Sequence, residues 1–416
     1  MSVGSGIAHL CYFEVLGNTD EESPEWQTLK AGLLTLRMVD NMHERQRLLR
    51  VSLERWEIEA VAEQVDLIDE GNVVRRVLRQ IVSHVAEGVK SAVPLLPKLM
   101  AYARALEYEA RWALAADVYV TVAGYALAAG HLDMAASASS QQGHCLRMQG
   151  QLDEAALAYG SAREYAVLGE DRAGVLRAEL GQANIALHIG NLPEAQQLLD
   201  EVIAAAESTN NSDILWRAYQ DRAAVAGRRG ELEKSVVFGH QALKHCTDPT
   251  RRERIIADIA NTLGSMGHRE AAEEAFQMLA ETAQEQYVRW YVTINLLELA
   301  GISGKEPQFE TYRRKLAHAD LPPALAAHYY LYIGEGCRRF QRYTSAREAL
   351  KAAIDVARQH KVNEVLIRAE KNLLELEHLK SEDSARDPVP TTPSVEVAEV
   401  IRAIGAMHSK GSEQTL

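Results

Sequence analysis

Histidine and cysteine side chains are the first candidates for chemistry, because both residue types bind metals and take part in catalysis. His240, His245 and Cys246 lie close together in the sequence, and His144 directly precedes Cys145. A metal site on a helix needs ligands that share one face, and spacings of five and one do not provide that. We therefore expect no metal site and interpret these side chains as ordinary surface or partly buried helix residues.

The common enzyme motifs are missing from the sequence. It contains no GxxxxGK[ST] phosphate loop, no GxGxxG, no HExxH and no GxSxG. The four cysteines are far apart and form no CxxC pair, which indicates reduced thiols rather than a disulfide framework. They are Cys11, Cys145, Cys246 and Cys337. We expect a protein that is not an enzyme and needs no cofactor.

A group of arginines, Arg75, Arg76 and Arg79, lies on the second of two predicted helices within residues 61–79. This segment loosely resembles a DNA-binding helix-turn-helix. Three acids within residues 66–70 would repel phosphates, and the turn is one residue too long. The whole chain carries 45 Lys+Arg against 58 Asp+Glu, a net charge of −13, which also disfavours nucleic acid as a partner. The alternative is a plain helical hairpin with a solvated arginine face.

The overall composition is that of a helical globular protein. Of 416 residues, 47% are hydrophobic, 25% are charged and 11 are proline, and the abundance of Ala, Leu, Glu and Arg favours helix throughout. Residues 1–16 lack the features of a signal peptide, and no apolar stretch is long enough to cross a membrane. We expect a cytoplasmic protein without membrane contact. The 33 arginines against 12 lysines suggest a GC-rich bacterial genome.

One short segment recurs along the chain: a glycine, a polar residue, a leucine, two further residues and a small residue. It begins at Gly150, Gly190 and Gly230, 40 residues apart, and continues at 37-residue steps to Gly267 and beyond. The members that lack part of the pattern are Gly267, Ala110, Gly304 and Gln341. Internal repetition at this period is typical of stacked helical repeats.

Each glycine of the pattern is expected to end one helix, because glycine readily adopts the left-handed backbone, and the next helix begins two residues later. That next helix carries a small residue such as Ala155 or Ala195. The preceding helix carries another small residue seven positions before the glycine or its substitute, namely Gly143, Ala183, Ala223, Ala260 and Gly334. Contacts between small residues predict antiparallel helix pairs, which stack because one pair cannot bury its apolar face alone.

These offsets resemble the tetratricopeptide repeat (TPR) over roughly residues 96–360. The repeat around Gly150 fills the family's positions with Gly143, Gly150, Leu152, Ala155, Tyr159 and Ala162. The match is weakest near Gly304, where Phe309 stands in place of alanine, and armadillo or HEAT repeats fit the pattern less well. The resemblance implies an all-α, right-handed α-solenoid of about seven TPR-like helix pairs over residues 96–380. Residues 1–95 would form a helical N-terminal cap or divergent repeats.

The two ends of the chain have their own patterns. Ser23 and Pro24 predict a helix start, and further helices are expected over residues 45–68 and 73–89. Residues 381–393, with three prolines, read as a disordered linker. Within residues 394–416, an amphipathic helix over 394–408 precedes a disordered tail. That helix either folds back on the solenoid, docks on a partner, or has no function.

The TPR resemblance also implies which residues face a concave groove. Repeat position two gives Arg177, Arg217 and Arg254; position nine gives His144, Asn184 and Asn261; Gln220 and Arg147 occupy two further positions. Asparagine can both donate to and accept from a peptide backbone, and arginine can clamp a carboxylate. Alternatively, the arginines pair with acids on the next helix and the face is only solvated.

The sequence thus favours a non-catalytic scaffold or adaptor that holds a peptide or a segment of a partner protein in the concave groove. A regulatory sensor is the main alternative, in which a bound peptide or signal acts through the N-terminal region, with transcription as one output. A third interpretation is a structural homo-oligomer, assembled through the solenoid ends or by exchange of the 394–408 helix.

Overall fold

The computed structural model describes residues 8–48, 51–89, 91–378 and 394–403, and the regular elements among them are all helices. A 3-10 turn at Val93–Leu95 leads into the fifth α-helix. The helices are α1 (Leu10–Gly17), α2 (Pro24–Leu48), α3 (Arg55–Asp66), α4 (Val73–Ala86), α5 (Leu96–Tyr108), α6 (Trp112–Ala128), α7 (Leu132–Met148), α8 (Leu152–Leu168), α9 (Arg172–Ile189), α10 (Leu192–Ser208), α11 (Ser212–Arg228), α12 (Leu232–His245), α13 (Pro249–Ser265), α14 (Arg269–Thr282), α15 (Gln286–Ile302), α16 (Glu306–Leu316), α17 (Pro323–Arg339), α18 (Tyr343–Gln359), α19 (Asn363–His378) and α20 (395–403).

The turns inside the helix pairs follow the repeat pattern. Gly150 and Gly230 adopt left-handed backbone angles, with φ of 76° and 77°, and α8 and α12 each begin two residues later. Gln341 and Ala110 adopt the same conformation without being glycine, with φ of 61° and 59°. A left-handed residue ends a helix by turning the chain away from the helix axis. The predicted helix boundaries within the pairs are therefore confirmed.

In two of the pairs, the small residue of the first helix packs against a large side chain of the second helix. A Cβ atom on Gly143 would lie 2.9 Å from the ring of Tyr159, and one on Gly334 would lie 2.6 Å from the Leu350 side chain. Close approach is achieved by packing a glycine against a large side chain, which fills the space that the glycine leaves.

The N-terminal region departs from the expected continuous helix over 45–68. The chain leaves the helical conformation after α2 and re-enters it at Arg55. The new start is fixed by a capping box in which the Glu54 backbone N–H donates to the Glu57 carboxylate at 2.8 Å. The predicted start at Pro24 is confirmed, since the Ser23 hydroxyl accepts from the Trp26 backbone N–H at 3.1 Å.

The described residues divide into two compact units. One contains the residues up to 147 together with 153–175, and the other contains 148–152 together with the residues from 176 onwards. The sequence-based boundary near residue 95 stays a prediction.

A buried histidine ties α1 to the rest of the first unit. The two ring nitrogens of His9 lie 2.5 Å from Asp117 Oδ2 and 2.8 Å from Asp40 Oδ2, and the Tyr125 hydroxyl donates to the other oxygen of Asp40. Burial alone would lower the pKa of His9, but the hydrogen bonds and negative charges of the two aspartates outweigh it and raise this pKa to about 9. The ring is therefore an imidazolium that bridges α2 and α6.

The second unit curves until its late helices meet its early ones. The Asn363 amide at the start of α19 donates to the Ile189 carbonyl at the end of α9, at 2.7 Å. Nearby, Arg228 at the end of α11 pairs with Glu364 at 3.2 Å. These contacts close one turn of the helical stack, and this unit therefore encloses a defined inner surface.

The C-terminal helix folds back on the second unit. Val397 and Val400 on α20 are buried, at 0% and 4% exposure, in the same apolar cluster as residues of α12, α13 and α14. Residues 381–393 and 404–416, for which the sequence predicts a linker, the end of this helix and a tail, lie outside the described residues.

Candidate functional site

The first helices of neighbouring pairs in the second unit share one continuous polar face. The Asn184 amide on α9 donates to Asp221 on α11 at 2.7 Å, and the Gln220 amide on α11 donates to Asp258 on α13 at 2.7 Å. Further along, α13 contacts α15 and α17 contacts α19 directly. We call the surface of α9, α11, α13, α15, α17 and α19 the inner face, because the stack curves along it to bring α19 back to α9.

Arg217 has a partly unsatisfied side chain on this face. Its guanidinium lies 3.3 Å from Asp213 and stacks 4.5 Å from the centre of the Trp216 ring. Its Nε atom is buried and has no acceptor among the described residues. Burial lowers the pKa of Arg217, and the positive charges of Arg251 and Arg177 lower it further, against the attraction of Asp213. The site thus combines positive charge with an unused donor.

Arg254 is engaged within the protein. It donates to Glu285, which also accepts from Arg251 Nη1 at 3.0 Å, and Glu285 is only 3% exposed on its side chain. The Arg254 guanidinium also lies over the Tyr287 ring at 5.0 Å. The alternative interpretation of the sequence, in which the arginines pair with acids on the next helix, expected this kind of contact. Arg254 thus holds α13 against the start of α15.

The three candidate amides differ in what they still offer a ligand. Asn184 directs its amide nitrogen to both Asp221 and the Leu180 carbonyl at 3.0 Å, while Gln220 gives its nitrogen to Asp258. Both keep an amide oxygen that can accept. Asn261, which is half-buried, makes no side-chain hydrogen bond with the described residues. It therefore retains both the donor and the acceptor that backbone capture requires.

Asp258 gives the middle of the inner face a titratable acid. Burial raises the pKa of Asp258 to about 6, although hydrogen bonds from Gln220 and Tyr291 and the charge of Arg254 act in the opposite direction. Near neutral pH this carboxylate is charged but only weakly stabilised by its surroundings.

A polar network on α15, α17 and α19 was missed by the sequence analysis. Arg368 binds Glu335 at 2.6 and 2.7 Å and Glu298 at 3.2 Å, and the Asn372 amide donates to Glu335 at 2.7 Å. These residues continue a series that starts at Asn261: residues 261, 298, 335 and 372 are spaced by 37. That spacing was visible in the sequence and would have extended the candidate face to α19.

His144 and Arg147 belong to the first unit. The Arg147 guanidinium lies 3.3 Å from the His144 ring, which contacts Trp112 edge-on at 5.7 Å between centroids. The Nε atom of Arg147 is buried and has no acceptor in the part of the chain that the structure describes.

Neither a metal site nor a membrane span is found in the described ranges. No group of three or more His, Cys, Asp or Glu residues there is arranged to hold a metal ion. None of the helices described is both long and apolar enough to traverse a bilayer. The four cysteines are free thiols.

Comparison with known proteins identifies the fold. The sequence matches no protein-family model and no curated protein. Among solved structures, a Rap protein complexed with competence and sporulation factor is 12% identical with a TM-score of 0.50, and the match covers 84% of this chain and 99% of that one. The Cut9–Hcn1 hetero-tetramer of the APC/C is also 12% identical with a TM-score of 0.50, covering 95% of this chain and 72% of that one. A tetratricopeptide repeat protein from Parabacteroides merdae is 14% identical, with a TM-score of 0.39 and coverage of 66% and 98%.

The chain therefore has the all-α TPR solenoid fold, as its sequence pattern predicts. The first two of these structures are complexes.

Proposed function

We propose that the protein is a non-catalytic cytoplasmic scaffold or adaptor whose inner face in the second unit binds a peptide or a segment of a partner protein. An acidic side chain or a free C-terminal carboxylate of that segment binds at Arg217. The proposal extends the scaffold function typical of the fold to a particular surface and a particular ligand chemistry.

The observation that carries the proposal is the environment of Arg217. A buried guanidinium nitrogen without an acceptor is unfavourable, since each unmade hydrogen bond to a charged group costs on the order of 1–3 kcal/mol. Arg251 and Arg177 add positive charge at the same place, while Asp213 is the acid paired with Arg217. A carboxylate that binds the solvent-accessible part of the Arg217 side chain, which is 37% exposed, gives the guanidinium a further acceptor and offsets the mutual repulsion of the arginines.

The remaining candidates take different parts in this binding. Asn261 captures a backbone amide of the ligand, with a donor and an acceptor. Asn184 and Gln220 accept through their amide oxygens, because their nitrogens already bind Asp221 and Asp258. Arg254 shapes the face through Glu285.

Peptide arrays test the proposal directly. Full-length protein is applied to random-sequence peptides with either free or amidated C-termini, and to matched sets with Asp and Glu or with Asn and Gln. We expect preference for the carboxylate-bearing sets, and at least about tenfold weaker binding by Arg217→Ala, equivalent to the loss of one charge-assisted hydrogen bond.

Arg229→Ala is the matched control. Arg229 follows α11, is exposed, and bonds with Gln196 and Glu231, so its removal changes the net charge equally while leaving the Arg217 site intact. Equal binding by Arg217→Ala and the unaltered protein, or equal loss in both variants, would rule out the assignment. Replacing Arg254 is a poorer test, because it removes one of the two arginine partners of the buried Glu285.

A sensor is the second candidate, and the closure of the second unit supports it. A ligand on the inner face must enter a closed turn held by Asn363 and by the Arg228–Glu364 pair. Binding would then shift the population between closed and open turns. Small-angle scattering with and without a peptide from the arrays distinguishes the two: a sensor changes its radius of gyration, and a rigid scaffold does not.

A further inference from the structure

The first unit contains a basic cavity that the proposed function does not use. It lies beside α4 and the start of α5, has a volume of about 630 Å³, and is lined by Arg75, Arg76, Arg79 and Lys98. The arginines reach it because the apolar residues of α4, including Val74, Val77, Leu78 and Ile81, face the core. On a chain with a net charge of −13, this concentration of cations is local.

The positive charge of the cavity is only partly balanced. Arg79 lies 2.8 Å from Asp66, and Arg75 lies 3.7 Å from Glu70. Arg76 and Lys98 form no ion pair with the residues that the structure describes. Two cations therefore remain for an external anion, and the long Arg75–Glu70 contact leaves the Arg75 guanidinium able to turn toward one.

The geometry points to a small, multiply phosphorylated anion as the ligand of this cavity. Guanidinium groups match phosphate oxygens in a two-pronged arrangement, and several of them together favour a ligand with more than one phosphate. The Ser83 hydroxyl and the Gln80 amide in the lining supply further hydrogen bonds. The volume lies within the range of small-molecule sites, about 300–1,000 Å³.

The same lining argues against a base-reading or nucleic-acid site. The residues that form the cavity include no Phe, Tyr or Trp on which a base could stack. Asp66 and Glu70 border the arginines, and acids at that position repel a long phosphate backbone. Glu70 is the one acid in the cavity lining, where four cations outnumber it, whereas a duplex laid across α4 also meets Asp66.

Isothermal titration of the full-length protein at physiological salt tests the inference. The probes are sodium tripolyphosphate, inorganic phosphate and citrate, the last being a polyanion without phosphorus. We expect saturable binding of one tripolyphosphate per chain, at least about tenfold tighter than citrate. Arg76→Ala is expected to weaken it at least about tenfold, and Arg76→Lys to retain part of it.

Arg314→Ala serves as the control, because Arg314 is exposed on α16 in the second unit and its loss changes the net charge equally. Arg76 is itself exposed, so its variants are expected to melt like the unaltered protein. No saturable binding, equal affinity for citrate, or the same loss in Arg314→Ala would each overturn the inference. Tight binding of a random DNA duplex that depends on Arg76, in the absence of tripolyphosphate binding, would also overturn it and assign the arginines to nucleic acid.

Discussion

The side-chain amide of Asn363 donates a hydrogen bond to the backbone carbonyl of Ile189, 174 residues earlier in the chain. The closure is supported by the Arg228–Glu364 pair and by the His188 ring, which lies 3.4 Å from the His360 carbonyl. A few polar contacts at the surface therefore hold the turn of the second unit closed, and each such contact contributes only about 0.5–1.5 kcal/mol.

We predict that the double variant Asn363→Ala, Glu364→Ala opens the second unit without unfolding it. Removing the Asn363 amide and the Glu364 carboxylate takes away two of the three closing contacts and leaves the helix-pair cores unchanged. The radius of gyration measured by small-angle scattering is therefore expected to rise while the helical circular dichroism is retained. Glu370→Ala is the control, since it breaks the Arg358–Glu370 pair between α18 and α19 and not the closure. An unchanged radius of gyration in the double variant would contradict a closure by these contacts.

Stability is predicted to depend on pH through His9. Its folded-state pKa of about 9 is above the unfolded value of about 6.5. The stabilisation is therefore fully present below pH 6.5 and is lost as pH rises to about 9. The difference corresponds to about 3 kcal/mol at most. Chemical denaturation at pH 6, 7.5 and 9 measures it.

His9→Asn tests this assignment, because asparagine tolerates the left-handed backbone that His9 adopts at φ 60°. The variant is expected to be less stable at pH 6 and to lose most of the decline between pH 6.5 and 9. His131→Asn, at an exposed position of the same unit, is expected to keep the profile of the unaltered protein. A decline that persists in His9→Asn means that another group causes it.

Asp258→Asn is predicted to stabilise the second unit above pH 6. The raised pKa of Asp258, about 6, means that the folded state loses stability as pH rises from about 4 through 6 and this acid ionises. The asparagine still accepts from Gln220 and can donate to Tyr291. We expect a gain of about 1–2 kcal/mol at pH 8 and none at pH 4. Asp355→Asn, on the exposed side of α18, is expected to change little, and equal gains in both variants would contradict the prediction.

The irregular repeat around Gly304 gives a packing prediction. Phe309, which stands where the repeat has alanine, fills space that Gly336 leaves on α17, and a Cβ atom there would lie 2.2 Å from the Phe309 ring. Gly336→Ala is therefore expected to destabilise by about 2–3 kcal/mol through overpacking. Adding Phe309→Leu is expected to recover at least about 1 kcal/mol of that loss, measured as the coupling in a double-mutant cycle.

The control for this packing is Gly160→Ala. Gly160 also lies inside a helix, but a Cβ atom there meets nothing within 4 Å, so alanine is expected to raise stability by about 0.5–1 kcal/mol through helix propensity. If Gly336→Ala were equally well tolerated, the contact with Phe309 would not limit the approach of α16 and α17.

The same pair illustrates how far the sequence determines the fold. The left-handed positions at Gly150 and Gly230 fix where α8 and α12 begin, because this backbone conformation is encoded by one residue and its neighbours. The large Phe309 side chain fits because Gly336, on a different helix, has no side chain. No local sequence pattern reveals such a contact. The sequence analysis missed the break between α2 and α3 because the apolar residues keep their helical spacing across it. In the structure, a capping box at Glu54 starts a new helix there.

The sequence predicted which helices carry the candidate binding residues, but it did not predict their partners within the protein. Repeat phase placed Asn184, Gln220 and Arg254 on helices that line the inner face. It could not show that Asp221, Asp258 and Glu285 already bind them, because such pairs depend on which side chains the next helix presents. Arg217 is paired with the exposed Asp213 of its own helix, whereas Arg254 is paired with the buried Glu285, and that difference appears only in three dimensions.

The docking of α20 gives the last prediction. Val400 is 4% exposed in the cluster of α12, α13 and α14, whereas Val395 on the same helix is 77% exposed. Val400→Asp buries a charge without a partner and is expected to release α20. The rate of amide hydrogen exchange over residues 395–403 should then rise to that of an unfolded peptide, while Val395→Asp leaves it unchanged.

Light scattering of the unaltered chain measures the oligomeric state. A monomer means that α20 docks on its own chain, and a dimer abolished by Val400→Asp means that two copies swap this helix. Fast exchange over residues 395–403 in the unaltered protein would contradict stable docking.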